Sequence, residues 1–203
     1  LREAYKAAES DPNKLTYAHI LGILGDPTGA ETLAQAVSAR EWDKGWKYTG
    51  MGQYGMSMSV VDSLIVALGR TRSDKALEPL VAKVRQLSAE NELSHHRAVA
   101  MALETLGDPV AAKPLAELLR KPDMSGHAWT DIDAATSNIP PSPVDTTTRE
   151  CSLRELILAR ALYRCGDCEG LGESILRQYA KDLRGHYARH ALAILAERNT
   201  PTP

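Results

Sequence analysis

Two cysteines and two histidines near the C-terminal end of the chain have the residue types and order of a zinc site. Cys165 and Cys168 form a Cys-x-x-Cys pair, and His186 and His190 follow with helical spacing. Thiolate sulfur and imidazole nitrogen are the usual ligands of structural zinc, and a Cys-x-x-Cys pair can also carry redox chemistry. Cys165, however, occupies a repeated position that leucine holds elsewhere in the chain. We therefore expect Cys165 to pack in the core, and we assign neither metal nor redox chemistry to these residues.

Two further patterns are weaker. His127, Asp131 and Asp133 could ligate a metal, but such residues often fall together by chance in a long polar segment. Residues 50–55 fit the pattern G-x-G-x-x-G, yet no strand precedes them, and a dinucleotide-binding turn needs one. We find no catalytic triad, phosphate-binding loop or supported pair of carboxylates, so the expectation is a chain without catalytic, cofactor or metal residues.

Three consecutive residues with polar rings or charge, His95, His96 and Arg97, follow Ser94. Serine is a good helix N-cap, so these residues are expected in the first turn of a helix. Neighbouring side chains on a helix point ~100° apart, which keeps both histidines from serving one small site. Either this turn is solvated, or it contacts the insertion at residues 41–56.

An internal sequence repeat predicts the helices that position these residues. Leu-Gly-Asp-Pro occurs at 24–27 and 106–109, with looser copies at 68–70 and 165–167. Glycine supplies a left-handed helix C-cap, aspartate caps the next helix, and proline suits its first turn. Aligning the four glycines places four apolar residues in one register before the turn: Leu21, Ile65, Leu103 and Leu162.

Each unit is therefore an apolar helix, a tight turn and a second apolar helix. Such a hairpin cannot bury its own apolar stripe, so the units must stack. The sequence predicts an all-α, right-handed α-α superhelix of about four hairpins plus a terminal helix, as a single domain over 1–203 with a tail at 199–203. The predicted helices are 13–24, 28–40, 57–68, 74–87, 94–106, 109–120, 150–165, 168–182 and 186–198.

Asp62 is an exception within the repeat, because alanine (Ala18, Ala100, Ala159) holds its position in the other units. A carboxylate in a packed position must find partners or bear the free-energy cost of desolvation. Either Asp62 faces solvent, or it is a buried anchor for backbone N–H groups of residues 41–56 or for Arg97.

Two insertions, 41–56 and 121–148, interrupt the repeat and contain all three tryptophans. Long structured loops are often functional, and both insertions join a second helix to the next first helix, which predicts that they lie on one side of the stack. In the alternative, the tryptophans fill gaps in the core. The candidate interaction residues are Trp42, Trp46, Tyr48, Tyr54, Asp62, His95, His96, Arg97, His127 and Trp129.

Composition excludes several classes of protein. Lys plus Arg number 24 and Asp plus Glu 26, a net charge of −2, which argues against a nucleic-acid binder. No apolar run approaches the ~18 residues of a membrane span. Three cysteines, an odd number, do not form a disulfide framework. No targeting segment is evident, so the sequence does not assign a compartment.

Residues 97–119, with the turn Gly107-Asp108-Pro109 between apolar helices, resemble a HEAT-like repeat. A narrower resemblance, to the HEAT-like C-terminal region of bacterial FAD-dependent oxidoreductases, rests on residues 48–55, 68–71, 94–97 and 125–127. That resemblance implies a module that packs on a flavin-binding domain, with FAD in the parent protein and none in this chain.

Three functions remain open at this point. The first is a non-catalytic scaffold whose partner is a protein, either its own catalytic domain or another protein. The second is an enzyme fragment whose insertions complete the active site of a parent oxidoreductase. The third is a free-standing adaptor that binds an acidic peptide through exposed basic residues on the second helices: Lys75, Lys83, Lys113, Arg120, Arg177 and Lys181.

Overall fold

A computed structural model describes residues 1–44, 59–140, 142 and 145–197 of the chain. Within this part the regular elements are α-helices and short 3-10 turns, and no strand occurs. The helices are α1 (Arg2–Ala7), α2 (Asp11–Ile23), α3 (Ala30–Ala39), α4 (Val60–Arg70), α5 (Leu77–Arg85), α6 (Leu93–Leu106), α7 (Ala112–Leu119), α8 (Ile132–Ser137), α9 (Thr147–Arg164), α10 (Leu171–Tyr179) and α11 (Gly185–Glu197).

The helices form a stack of hairpins, which confirms the predicted all-α repeat architecture. The first helices of successive hairpins, α2, α4, α6 and α9, pack side by side, while α3, α5 and α7 pack in the same order as a second layer. The terminal helix α11 packs on α10 and α9. The four register residues before the turn are all buried: Leu21, Ile65, Leu103 and Leu162.

The predicted turn chemistry is present at both Gly-Asp-Pro turns. Gly25 and Gly107 have φ values of 79° and 66°, in the left-handed region that glycine tolerates best. Asp26 accepts a hydrogen bond from the Thr28 amide, and Asp108 accepts one from the Val110 amide. Each proline opens a 3-10 turn that precedes the α-helix proper, so α3 and α7 begin later than predicted.

Replacing Asp108 with alanine is expected to lower the free energy of unfolding by about 1 kcal/mol, because the side-chain cap of the Val110 amide is lost. The variant Asp108→Asn retains a side-chain oxygen that can accept the same hydrogen bond, so it should keep most of this stability. Urea unfolding of both variants checks the prediction. Equal stability of D108A and D108N would show that this cap contributes nothing.

Small residues let the first helices approach closely. A Cβ atom at Gly69 would lie 2.4 Å from the Ala102 Cα, and one at Gly22 would lie 2.8 Å from the Ala67 carbonyl oxygen. Such distances are below van der Waals contact, so α4 packs against α6 and against α2 only because these positions lack a side chain.

Two leucines of the helical units are largely exposed. Leu24 is 67% exposed, although Leu68 and Cys165 are buried at the same position of their repeats. Leu192 of α11 is 53% exposed. Both lie in helical units at the two ends of the described stack, where a repeat has a neighbour on one side only.

Candidate interaction surface

The second insertion is anchored to the repeat core by a buried carboxylate. Glu155 on α9 is 1% exposed. Its two oxygens accept hydrogen bonds of 2.8 Å from the backbone amides of Gly126 and His127. The Tyr179 hydroxyl, from α10, donates a further 2.8 Å bond to it. Burial raises the pKa of the Tyr179 phenol, so Tyr179 remains a donor. Glu155 therefore fixes the backbone at residues 126–127.

A second anchor lies between α10 and α11. The Asp182 carboxylate accepts a 2.8 Å hydrogen bond from the Trp129 amide, and the Leu183 amide donates to the Trp129 carbonyl at 2.8 Å. Arg184 forms an ion pair of 2.7 Å with Asp182 and donates to the His127 carbonyl. Burial acts to raise the pKa of Asp182, but the hydrogen bonds from Arg184 and the Trp129 amide outweigh it and lower that pKa.

These anchors leave the Trp129 ring at the surface. The ring is half-buried, and the Arg184 guanidinium carbon lies 4.2 Å from its centroid, a cation–π contact. Trp129 and Arg184 line a groove of about 490 Å³ together with Thr148, Arg149, His186 and Tyr187. The described residues lining it include cations and aromatic rings and no carboxylate.

The remaining candidate of this insertion, His127, is half-buried, and its ring Nε2 lies 3.1 Å from the Asp123 carbonyl oxygen. Its backbone, rather than its ring, carries the contacts with Glu155 and Arg184. His127 therefore lies within the anchored segment, two residues before Trp129.

A buried polar pair recurs at the same distance before the turn glycine in two first helices. His95 and His96 lie 12 and 11 positions before Gly107, and Arg154 and Glu155 lie 12 and 11 positions before Gly166. All four side chains are buried. The pair in α9 binds the insertion that precedes it, whereas in the α6 pair only His96 binds the shorter loop before it.

The contacts of His96 and Arg154 meet at the loop between α5 and α6. The ring nitrogens of His96 lie 3.0 Å from the carbonyl oxygens of Glu92 and Ser88. Arg154 donates 2.8 Å hydrogen bonds to the carbonyls of Ala89 and Asp123. One guanidinium thus joins this loop to the second insertion.

Of the two alternatives for this turn, a solvated turn at residues 95–96 is wrong, and contact with the first insertion is found for His95, whose ring packs on Trp42. The helix begins at Leu93, two residues before His95, so Ser94 lies inside the first turn and is not the N-cap. His95 and His96 then point inward, and both are buried. Arg97 is exposed, on a helix face about 200° away from that of His95.

Asp62 is a buried residue that bonds to His95. It is 2% exposed, and its Oδ1 lies 2.7 Å from Nδ1 of His95. The partner is therefore neither Arg97 nor a backbone amide of the described residues 41–44. Asp43 holds that end of the first insertion instead, by accepting hydrogen bonds from the Ser59 hydroxyl and the Val60 amide.

Trp42 packs over this pair, and its ring centroid lies 4.4 Å from that of His95. Trp42 is half-buried against the hydrophobic core, as the gap-filling alternative expects. Lys83 lies 5.1 Å from the Trp42 ring and donates a hydrogen bond to the Arg40 carbonyl. The prediction that Lys83 is exposed is wrong: it is buried, and burial lowers its pKa.

Three candidates, Trp46, Tyr48 and Tyr54, lie outside the described residues, as does most of the first insertion. The prediction that both insertions share one side of the stack therefore stays a prediction. The G-x-G-x-x-G segment at 50–55 and the tail at 199–203 also lie outside the described part.

The surroundings of Cys165 do not suit the zinc site that the Cys-x-x-Cys pattern suggested. Cys165 is buried, as predicted, and donates a hydrogen bond of 3.4 Å to the Leu103 carbonyl. Burial raises the pKa of the Cys165 thiol to about 12, which disfavours the thiolate that zinc or redox chemistry needs. In the described ranges, no three His, Cys, Asp or Glu side chains are grouped as metal ligands, the set His127, Asp131 and Asp133 included.

A serine–histidine contact occurs elsewhere. The Ser63 hydroxyl lies 2.7 Å from Nε2 of His19, within the range of a nucleophile and its base. Among the described residues, none forms a hydrogen bond with Nδ1 of His19, so nothing there orients the imidazole ring as a base. The Ser63 amide is bonded to the Ser59 carbonyl inside the helix. The contact lacks the supporting parts of a triad, and it links α2 to α4.

Sequence reasoning missed Ser152, Arg154, Glu155, Asp182 and Arg184, which hold the second insertion. The available signal was the register: Glu155 stands at the same distance before the turn glycine as His96. A charged residue at a position that a repeat buries indicates an internal hydrogen-bond partner.

Comparison with known proteins supports the repeat. The PBS lyase HEAT-like repeat family matches residues 96–121, which include most of α6, the Gly-Asp-Pro turn and α7. No curated protein and no solved structure matches the chain significantly. The described helices include none long and apolar enough to cross a lipid bilayer.

Proposed function

We propose that this chain is a non-catalytic helical-repeat scaffold that binds a segment of a protein partner at the groove beside Trp129. HEAT-like repeats commonly mediate protein interactions, and the family match covers the central repeat. The partner is either a catalytic domain of the same protein or a separate protein.

The observation that carries the proposal is the anchoring of Trp129. Its backbone is fixed by Asp182 and Leu183, while its ring stays half-exposed beside Arg184. A rigid, partly exposed tryptophan loses little conformational entropy when a partner covers it, and tryptophan and arginine are enriched among the residues that dominate binding energy.

Polar side chains border the ring of Trp129. Arg149 and His186 are exposed along the groove, and Arg184 is paired with Asp182. A partner that covers Trp129 therefore also contacts these side chains.

The narrower assignment, to the C-terminal module of a bacterial FAD-dependent oxidoreductase, rests on the resemblance of residues 48–55, 68–71, 94–97 and 125–127. No comparison links the chain to flavoenzymes. That assignment, the FAD of the parent protein and the alternative of an enzyme fragment therefore stay predictions.

The proposal is tested by site-specific cross-linking in cells. A photoreactive amino acid at Thr130, which is exposed next to Trp129, should give a discrete adduct with a protein partner. The same amino acid at Glu117, exposed on α7, should not. Equal adducts at both positions, or none at Thr130, would overturn the proposal.

The recovered partner then allows a quantitative prediction. Trp129→Ala should weaken its binding at least about tenfold, as expected for a central tryptophan, while the backbone bonds of residue 129 remain. Val110→Ala removes methyl groups from a side chain that is 63% exposed on another part of the surface, and it should leave affinity unchanged. Calorimetric titration measures both. Equal affinity of the two variants contradicts a contact at Trp129.

A further inference from the structure

A groove of about 220 Å³ lies between the first helices α2, α4 and α6. Its walls include the apolar side chains of Val66 on α4 and Met101 on α6. Three further lining residues are exposed to solvent: Ile23, Arg70 and Arg97. This surface, here named the Arg97 groove, thus combines apolar walls with two exposed guanidinium groups.

The positive charge of the Arg97 groove is not paired with a carboxylate of the groove itself. Asp62 is the one acidic residue among its described lining residues, and it is 2% exposed and bonded to His95. Arg97 forms no hydrogen bond or ion pair with a described residue. Arg70 donates a 3.1 Å hydrogen bond to the Ile23 carbonyl, which holds its guanidinium beside the groove. Both arginines can therefore pair with carboxylates that a partner supplies.

The exposed face of α2 extends the apolar part of this surface. Ile20 and Ile23 are 39% and 36% exposed, and their spacing of three residues places them on the same face of the helix. Neighbouring apolar side chains that stay exposed are typical of interaction surfaces. A partner that fits here therefore carries aliphatic side chains as well as negative charge.

The volume of the groove favours a segment of a larger partner over a free small molecule. Small-molecule sites typically have about 300–1,000 Å³ and enclose most of the ligand, and the Arg97 groove is smaller than that. We propose that it binds a protein segment in which aliphatic side chains are flanked by glutamate or aspartate. The aliphatic side chains pack on Ile23, Val66 and Met101, and the carboxylates pair with Arg70 and Arg97. The Arg97 groove shares no lining residue with the groove beside Trp129, so it is a separate contact surface.

The test is an NMR titration of the 203-residue chain with three short peptides: leucines flanked by glutamates, the same peptide with lysines for the glutamates, and the same with alanines for the leucines. The first peptide should shift the amide signals around Val66 and Met101, and its binding should weaken as the salt concentration rises. The alanine peptide should bind at least about tenfold more weakly, because it buries less apolar surface. The lysine peptide should cause no shift there. Equal binding of the three peptides, or no binding of any, overturns the proposal.

A matched pair of variants locates the binding site on the chain. Arg97→Gln should weaken binding of the leucine–glutamate peptide about two- to fivefold and reduce its salt dependence, as expected for the loss of an exposed ion pair. Arg189→Gln makes the same charge change at an exposed position on α11 and should change neither. Identical behaviour of R97Q and R189Q contradicts the proposed site. Trp129→Ala should leave this binding unchanged, so failure of the Arg97 groove is distinguished from failure of the groove beside Trp129.

Discussion

Replacing Glu155 with alanine is expected to lower the free energy of unfolding by about 3–5 kcal/mol. The change leaves the Tyr179 hydroxyl with only a longer bond to the Ser152 carbonyl, and it removes the acceptor of the Gly126 and His127 amides. Each buried donor without its acceptor costs about 1–3 kcal/mol. The loss should also loosen the backbone at residues 126–127, because two of the bonds fix those amides directly.

Two comparisons make the Glu155 prediction specific. Glu155→Gln keeps one carbonyl oxygen as an acceptor and should cost less than alanine. Glu117→Ala removes an exposed glutamate of α7 and should change stability by less than about 0.5 kcal/mol. Urea unfolding measures all three variants. A loss below about 1 kcal/mol for E155A would mean that the insertion is not anchored through Glu155.

Acidification from about pH 7 to about pH 4 should lower the stability of the chain by about 3 kcal/mol through His96. Complete burial lowers the pKa of His96 from 6.5 to about 4, and the nearby Arg154 guanidinium adds to this, although two carbonyl oxygens act in the opposite direction. The unfolded state therefore binds the proton more tightly than the folded state. The stabilisation is complete above pH 6.5 and is lost as the pH falls towards 4.

The His96→Gln variant should show a flatter dependence of stability on pH in this window. His186→Gln, which changes an exposed histidine of α11, should keep the slope of the unchanged chain. Carboxylates with lowered pKa values, such as Asp182, also lose stabilisation at the acidic end of this window, but they do so equally in both variants, so they do not mask the difference in slope. Urea unfolding at about pH 7, 5.5 and 4 gives the slopes. Stability that rises on acidification would show that the folded state prefers the imidazolium.

The repeat could be predicted from the sequence because its signals are local. Gly-Asp-Pro encodes a cap, a turn and a helix start within three residues, and Leu21 and Leu103 mark the buried face on one side of that turn. Local helix propensity and apolar periodicity indicate the same architecture. The helices, the hairpins and the buried register residues could therefore be predicted from the sequence.

The anchors of the insertion could not be predicted in the same way, because their partners are distant in sequence. Glu155 bonds to amides 28 and 29 residues earlier, and Asp182 bonds to one 53 residues earlier. His95 and Asp62 are 33 residues apart. The repeat register identified Asp62 as unusual, yet it carried no information on which distant group completes the pair. The early start of α6 at Leu93 turned both histidines inward.

Hydrogen exchange of the backbone amides tests most directly whether the second insertion is a fixed surface on the repeat core. If Glu155 and Asp182 fix this segment, the amides of Gly126, His127 and Trp129 exchange at least about a hundredfold more slowly than in an unstructured peptide. In E155A, the first two should exchange much faster under conditions where the helix α6 stays protected. Exchange of these amides at unstructured rates in the unchanged chain would contradict the account.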